Sequence, residues 1–409
     1  MNNSTQPDAI EETVTASETL MQASLGTLEN SVRPKGLILT KDQIIDLHRY
    51  EKKALNLPTE ISKVIAYLGY GSNTIAGPGL APADFARCFT VVRNHALRWN
   101  PLQHRVKNVS GELKVFAAQM LTYGDSFQSI IADIKSAQTL RQLGIKTLED
   151  LKRVQIEMGD AFPGIEFDAD DADAAIDFGY LLDRIIAKVT DHEARTRQLK
   201  DDLANYGDDL SNEVRPAIAL QLVAIENSPL KANIVKLQKE IDNLNKEIDE
   251  KSAAYKKTVM SSLESAAGLN VVGLGMAIYF GVEAEKIRKE RNDLKNKRDQ
   301  KINDMYEMDI ILGRLGYIKA DLQDLEMLTI EADCATKNLI TLWNKLHTYA
   351  LQSREESERI DDAMRATLFV YHFEQVVAPW KLIAEEADQL LSVFAEADAE
   401  MAKDLKKSY

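Results

Sequence analysis

Between Ala266 and Val282 the chain runs through 17 residues without a charge, AAGLNVVGLGMAIYFGV, and both flanks are strongly charged and heptad-patterned. Upstream, Leu230, Ile234, Leu237, Ile241, Leu244 and Ile248 recur at 4-3-4-3-4 spacing, and Tyr255 keeps the frame. Downstream, Ile287 and Leu294 lie seven apart, and Met305, Met308, Leu312, Leu315, Ile318, Leu322 and Leu325 form a further seam. Such spacing places apolar knobs on one helix face against a partner helix. The connection between the two patterned arms is short, so they are expected to pair antiparallel, with the uncharged run at their turn.

Length limits what that run can do. As one straight helix it reaches about 25 Å, slightly under the roughly 30 Å hydrocarbon core of a bilayer. As a hairpin, each leg holds about eight residues and reaches about 12 Å, enough to dip into one leaflet. The arm that precedes it, 37 residues from Pro229 to Ser265, spans about 55 Å as a helix. Leaving so many apolar side chains wet costs on the order of a few tens of kcal/mol at about 25 cal/mol per Å². The competing readings are a buried core helix and a permanent single-pass anchor. Long solvated coiled coils argue against the first, and four glycines in a short segment argue against the second.

Few breakers interrupt the rest. In 409 residues there are 19 Gly and 10 Pro, so elements are long and the expected fold class is all-α: an elongated long-helix bundle with an antiparallel coiled-coil stalk ending in an apolar hairpin tip. Residues 1–38 are polar and acidic, without a basic-then-apolar leader pattern, and are expected to be flexible. Body helices are expected over 39–228 and 331–409, and the stalk over 229–330 with its tip at 264–283. Thr40 is placed to cap the first body helix. A second helix is expected from Ala83 to Trp99, stopping before Pro101. Phe116, Met120, Tyr123, Phe127, Ile130 and Ile134 repeat the 4-3 spacing. Helices follow over Thr147–Met158 and Asp170–Tyr206, the latter with Ile176, Tyr180, Ile186, Val189, Leu199 and Leu203 as apolar positions. Ser228 and Pro229 have the residue types of an N-cap and a first helical position. Ser353 and Glu356 are spaced as a capping box for the last helix.

Charge and composition exclude several functions. The net charge of −14 disfavours nucleic acid, which needs a basic face. Two cysteines, Cys88 and Cys334, make no disulfide framework and are expected unpaired in the core. The six histidines are scattered without ligand spacing, so no metal site is expected. The acidic run Asp168, Asp170, Asp171, Asp173 and Asp177 lacks the Gly and Glu of a calcium loop and fits a helix N-terminus. No nucleotide loop or nucleophile elbow occurs, so no catalysis and no cofactor are expected.

The candidate site is therefore the tip. Leu269, Val271, Val272, Leu274, Met276, Ile278, Tyr279 and Phe280 are the expected lipid contacts. Gly268, Gly273, Gly275 and Gly281 supply turning and close approach. Lys256, Lys257, Lys286, Arg288 and Lys289 flank the run and suit anionic headgroups.

A long helical body, a glycine-rich apolar hairpin between heptad arms and no leader together resemble the α-helical pore-forming toxins of the cytolysin A (hemolysin E) superfamily. The likeness is greatest to the A components of the binary α-xenorhabdolysin-type cytotoxins, over nearly the whole chain and through Ser228–Leu325 around GLNVVGLGMAIYFGV. It rests on architecture more than on a sharp motif. The resemblance implies a soluble protein, secreted or released without a Sec signal, that binds a host membrane through the tip. It further implies recruitment of a B-component toxin protein into a hetero-oligomeric ring, with A promoting insertion and B supplying most of the spanning helix. A one-component cytolysin and a non-toxic coiled-coil scaffold whose apolar segment binds a protein are the alternatives.

Overall fold

The computed structural model describes residues 6–27, 35–68, 78–145, 147–226, 232–268 and 282–407. Among them there is helix and no strand, with one isolated bridge between Glu166 and Asp362. The helices are α1 (Gln6–Leu25), α2 (Lys41–Leu55), α3 (Ile61–Leu68), α4 (Pro82–Leu97), α5 (Trp99–Asp133), α6 (Lys135–Gln142) and α7 (Leu148–Met158). They continue with α8 (Ala169–Asp209), α9 (Arg215–Glu226), α10 (Ala232–Gly268), α11 (Val282–Met308), α12 (Ile310–Ser357) and α13 (Ala363–Lys407). The all-α class expected from the sequence is the class observed.

The chain divides into two compact units, each assembled from three stretches. The first comprises Met1–Met21, Val109–Thr196 and Asn338–Gln389. Its core is aromatic. Phe116 stands edge-on to Trp343 and Trp380 with ring centroids 5.0 and 4.9 Å apart, and His192 stacks on Trp343 at 5.2 Å. The Trp343 indole donates to the Thr196 hydroxyl at 3.0 Å, so the large ring is buried with its polar edge satisfied. A second group joins Phe127, Phe178, Phe369 and Phe373. The second unit comprises Gln22–Asn108, Arg197–Lys337 and Leu390–Tyr409. There Tyr50 of α2 donates to Nδ1 of His95 at 2.8 Å, and the His95 ring stacks on Tyr206 at 4.1 Å.

Local signals explain most helix ends. Thr40 and Gln43 form the expected capping box on α2. Thr147 and Asp150 do the same on α7. Asp168 caps α8, accepting from the Asp171 amide at 2.8 Å, which is the helix-terminus reading of the acidic run. Asp171 then turns back to cap α6, accepting from the Lys135 amide at 2.8 Å and the Ser136 hydroxyl at 2.7 Å.

Several expectations are corrected. The 1–38 segment, expected to be flexible, contains α1, which buries Ile10, Ala16 and Leu20 and lays Thr13 against the Lys345 carbonyl at 3.4 Å. The helix expected to stop before Pro101 does pause after Leu97, but α5 restarts at Trp99. Pro101 then falls in a first turn, where a missing N–H costs nothing. Ile176 and Tyr180 are exposed, and α8 packs through Phe178, Leu182 and Ile185 instead. Ser353 and Glu356 cap nothing, because α12 runs through both; Asp362 caps α13 by accepting from the Arg365 amide at 2.8 Å. Ser228 and Pro229 lie outside the described residues.

The seam read continuously through Met305 and Leu325 is broken at Asp309, where the chain folds back. Arg298 donates to the Gln323 side chain at 2.8 Å, and Tyr317 bonds Asn303. Gly313 makes the reversal possible: a Cβ there would sit 2.4 Å from the Tyr306 Cα. Gly111, on α5, faces open space. Gly313→Ala is therefore expected to lower stability by about 1–3 kcal/mol through overpacking, while Gly111→Ala raises it by about 0.5–1 kcal/mol through helix propensity. Urea-unfolding midpoints of the two variants check the contrast.

Candidate membrane-engaging arm

Helices α10 and α11 lie side by side and run antiparallel. Glu240 pairs with Lys301 at 2.8 Å and Lys251 pairs with Glu290 at 2.5 Å. Both pairs are centred on the peptide bond between residues 270 and 271, inside the uncharged run. The Arg291 guanidinium donates to the Ser252 hydroxyl at 2.9 Å in nearly the same register. Of the expected frame on α10, Ile234, Leu237, Ile241, Ile248 and Tyr255 are buried, Leu244 is half-buried and Leu230 lies outside the described residues; on α11 the expected Ile287 and Leu294 are half-buried.

A second stripe beside it is polar, and the sequence reading missed it. Gln238, Asn245 and Ser252 are buried on α10 at seven-residue spacing. Ala284, Arg291, Arg298 and Met305 are buried on α11 at the same spacing. The signal was available: two arginines seven apart, in frame with Met305, occupy positions that a coiled coil turns inward. Arg298 is 0% exposed and Arg291 3%. Charges so placed need partners, and α12 supplies them. Asp324 faces Arg291 at 3.3 Å, Lys295 at 3.0 Å and Arg298 at 3.4 Å. Gln323 donates to the Asn245 carbonyl at 3.1 Å and to Asp249 at 3.0 Å, tying α12 to α10.

Helix α2 closes the cluster from another side. Lys53 pairs with Asp321 at 2.9 Å, and Asp46 lies 3.5 Å from Lys295. Burial alone would raise the Asp324 carboxyl, but Lys295, Arg298 and Arg291 outweigh it and hold the group below its ordinary value. Burial dominates at Asp321 and pushes it up to about 6 against the attraction of Lys53. Asp46 is raised for the same reason. A polar cleft of about 390 Å³ opens beside the cluster, lined among others by Asp46, Arg49, Arg288, Arg291 and Lys295.

The expected tip residues Leu269, Val271, Val272, Leu274, Met276, Ile278, Tyr279 and Phe280, with Gly273, Gly275 and Gly281, lie outside the described residues. Gly268 is the last residue of α10. The flanking cations are described: Lys256 and Lys257 are exposed on α10, and Lys286 and Lys289 on α11. Arg288 is half-buried and lines the polar cleft, so it faces the ion cluster more than solvent. Cys88 is a free, buried thiol, pushed up to about 12 by burial. Among the described residues, no helix is long and apolar enough to cross a membrane, and no three His, Cys, Asp or Glu side chains are grouped to hold a metal.

Two variants test the cluster. Arg298→Ala strips the buried carboxylate of one partner and is expected to cost about 3–5 kcal/mol, read as faster amide exchange along α11 and α12. For Asp321, the folded carboxyl binds its proton more tightly than the unfolded one. Its contribution to stability is full below the unfolded value of 3.8 and is lost as pH rises towards about 6. Asp321→Asn is therefore expected to gain stability relative to the parent as pH rises from 4 to 6, levelling off above. Urea midpoints across that range give the sign.

No family model matches the chain, and no curated protein does. Solved structures are similar over most of its length. YaxA from Yersinia enterocolitica is 26% identical, with 91% of this chain and 100% of that chain covered and a TM-score of 0.46. XaxA from Xenorhabdus nematophila is 23% identical, covering 90% and 99%, with a TM-score of 0.44. The YaxAB pore complex gives 27% identity, coverage of 91% and 100%, and a TM-score of 0.45. The solved structures to which the chain is similar are of the kind that the sequence resembles.

Proposed function

We propose that this protein is a subunit of a pore-forming toxin, which engages a target membrane through the apolar tip at 264–283 and co-assembles with a second protein component into an oligomeric helical pore. The observation that carries the reading is the register of α10 against α11. Two ion pairs, eleven residues apart on each helix, converge on the peptide bond between residues 270 and 271, inside the uncharged run. A hairpin turned there would present its apolar side chains at the end of a charged helical pair. That is costly in water and favourable at a lipid surface.

Division of labour follows from length. Folded as a hairpin, the 17-residue run holds too few residues on either leg to cross the roughly 30 Å hydrocarbon core, so it dips and does not span. The tip is thus suited to attachment and to priming insertion, with the spanning wall supplied by a partner. Tyr279 and Phe280 suit the interfacial zone, and Lys256, Lys257, Lys286 and Lys289 lie where anionic headgroups meet the arm. The buried cluster of Arg291, Arg298 and Asp324 holds α11 in register with α12, so the tip is carried on a fixed support. The protein works by assembly and insertion, and needs no catalytic group.

The double variant Val272→Glu plus Ile278→Glu puts two charges where lipid is expected, at about 2–3 kcal/mol each. It should keep the parent's helicity and solubility and lose flotation with liposomes. Undiminished flotation contradicts the tip. Dye release from vesicles by the protein alone and with its partner component then separates a two-component pore from a self-sufficient one.

A further inference from the structure

The first unit contains an apolar groove of about 880 Å³ between the end of α5, the α6–α7 corner and α13, within the range of ligand sites. Its floor is Ile131, Ile145 and Val370, all buried, and its walls include Leu148 and Tyr371, each 55% exposed. The corner is built firmly. Gly144 has φ +68°, its amide donates to the Arg141 carbonyl at 3.1 Å, and the Ile145 amide donates to the Leu140 carbonyl at 2.9 Å. This closes α6 with a glycine in the left-handed region, and the Thr147 cap opens α7 three residues later. Arg141, in the last turn of α6, and Glu149, in the first turn of α7, are thereby held on one groove.

Charged groups of both signs line the groove. Elsewhere in the unit Lys114 pairs with Asp388, Arg195 with Glu112, Arg354 with Asp183 and Arg365 with Asp361. Among the described residues the Arg141 and Glu149 side chains enter no ion pair, and Glu374 accepts from the Gln128 amide. Tyr371 stands three residues before Glu374, on the same face of α13.

We propose that this groove binds a zwitterionic phospholipid. The phosphate pairs with the Arg141 guanidinium, whose planar fork suits two phosphate oxygens. The ammonium group sits against the Tyr371 ring, flanked by the Glu149 and Glu374 carboxylates, where ring and charge attract it together. An acyl chain covers Ile131, Ile145 and Val370. Charged groups of both signs beside an apolar floor select this class: a sterol leaves the charges unused, and a free headgroup leaves the floor wet. The site lies in the unit that does not carry the tip, and it stands or falls independently of the pore-forming reading.

Titration calorimetry of the soluble full chain with dihexanoyl-phosphatidylcholine, kept below its micelle concentration, tests the proposal. Saturable binding is expected. Arg141→Glu and Tyr371→Ala, both at exposed positions, should each weaken it about ten-fold or more with unchanged circular dichroism. Leu368→Trp, which fills the groove, should abolish it. Free phosphocholine and dihexanoyl-phosphatidylglycerol should bind about ten-fold more weakly or worse, the first lacking chains and the second the ammonium. The Val272→Glu plus Ile278→Glu protein should bind like the parent. Absence of saturable heat, affinity unaltered in Arg141→Glu, free phosphocholine binding as well as the lipid, or loss of binding in the tip variant would each overturn the site.

Discussion

The pairing of α10 with α11 depends on burying charge as well as oil. A heptad arm of Ile and Leu alone fixes a face but leaves its register free to slip by a turn. In this protein Arg291 and Arg298 enter the seam at alternate turns and meet one carboxylate, Asp324, together with Gln323. A slip by one heptad would leave at least one guanidinium buried without a partner, at a cost of several kcal/mol. The register is therefore discrete, and with it the place where the chain turns back.

The same cluster joins four helices of its unit. Gln323 reaches α10, Lys295 reaches Asp46 of α2, and Lys53 of α2 reaches Asp321 of α12. Gly313 allows α12 to start against Tyr306, so the partner carboxylates come back alongside the arginines within a short stretch of chain. Support for the arm comes from ions and close backbone approach, while the first unit relies on Phe116, Trp343 and Trp380. Two units with different glue can respond differently to salt and pH, since buried ion pairs titrate and aromatic contacts do not.

Much of this was legible in the residues. Heptads predict long helices, and Thr40, Thr147 and Asp168 announce helix starts through chemistry confined to three or four neighbours. What sequence periodicity misread are places where two features compete. Ile176 and Tyr180 are apolar at helical spacing, yet α8 turns inward the face of Phe178 and Leu182, about 200° round the helix from them. Ser353 and Glu356 match a capping box, but caps depend on where a helix ends, and α12 does not end there. Asp309 breaks a seam that reads as continuous, since one acidic residue carries no turn signal as strong as Gly or Pro. The buried arginines Arg291 and Arg298 were passed over, because charge is normally a surface property. Only their seven-residue spacing marked them. At the site itself the uncharged run and its flanking cations were visible at once, while the ion cluster that fixes their support is tertiary, formed by residues up to 278 positions apart.

The account rests on the uncharged run meeting lipid at the end of the α10–α11 pair. The most direct measurement is the environment of a fluorophore attached through Leu274→Cys, in protein whose Cys88 and Cys334 are replaced by Ala, with a second label through Lys246→Cys as the reference. On adding vesicles that contain brominated lipid, the account predicts a blue shift and strong quenching at 274 and neither at 246. A label at 274 already shielded from aqueous iodide before vesicles are added, and unmoved by them, would place the run in a protein core and contradict it.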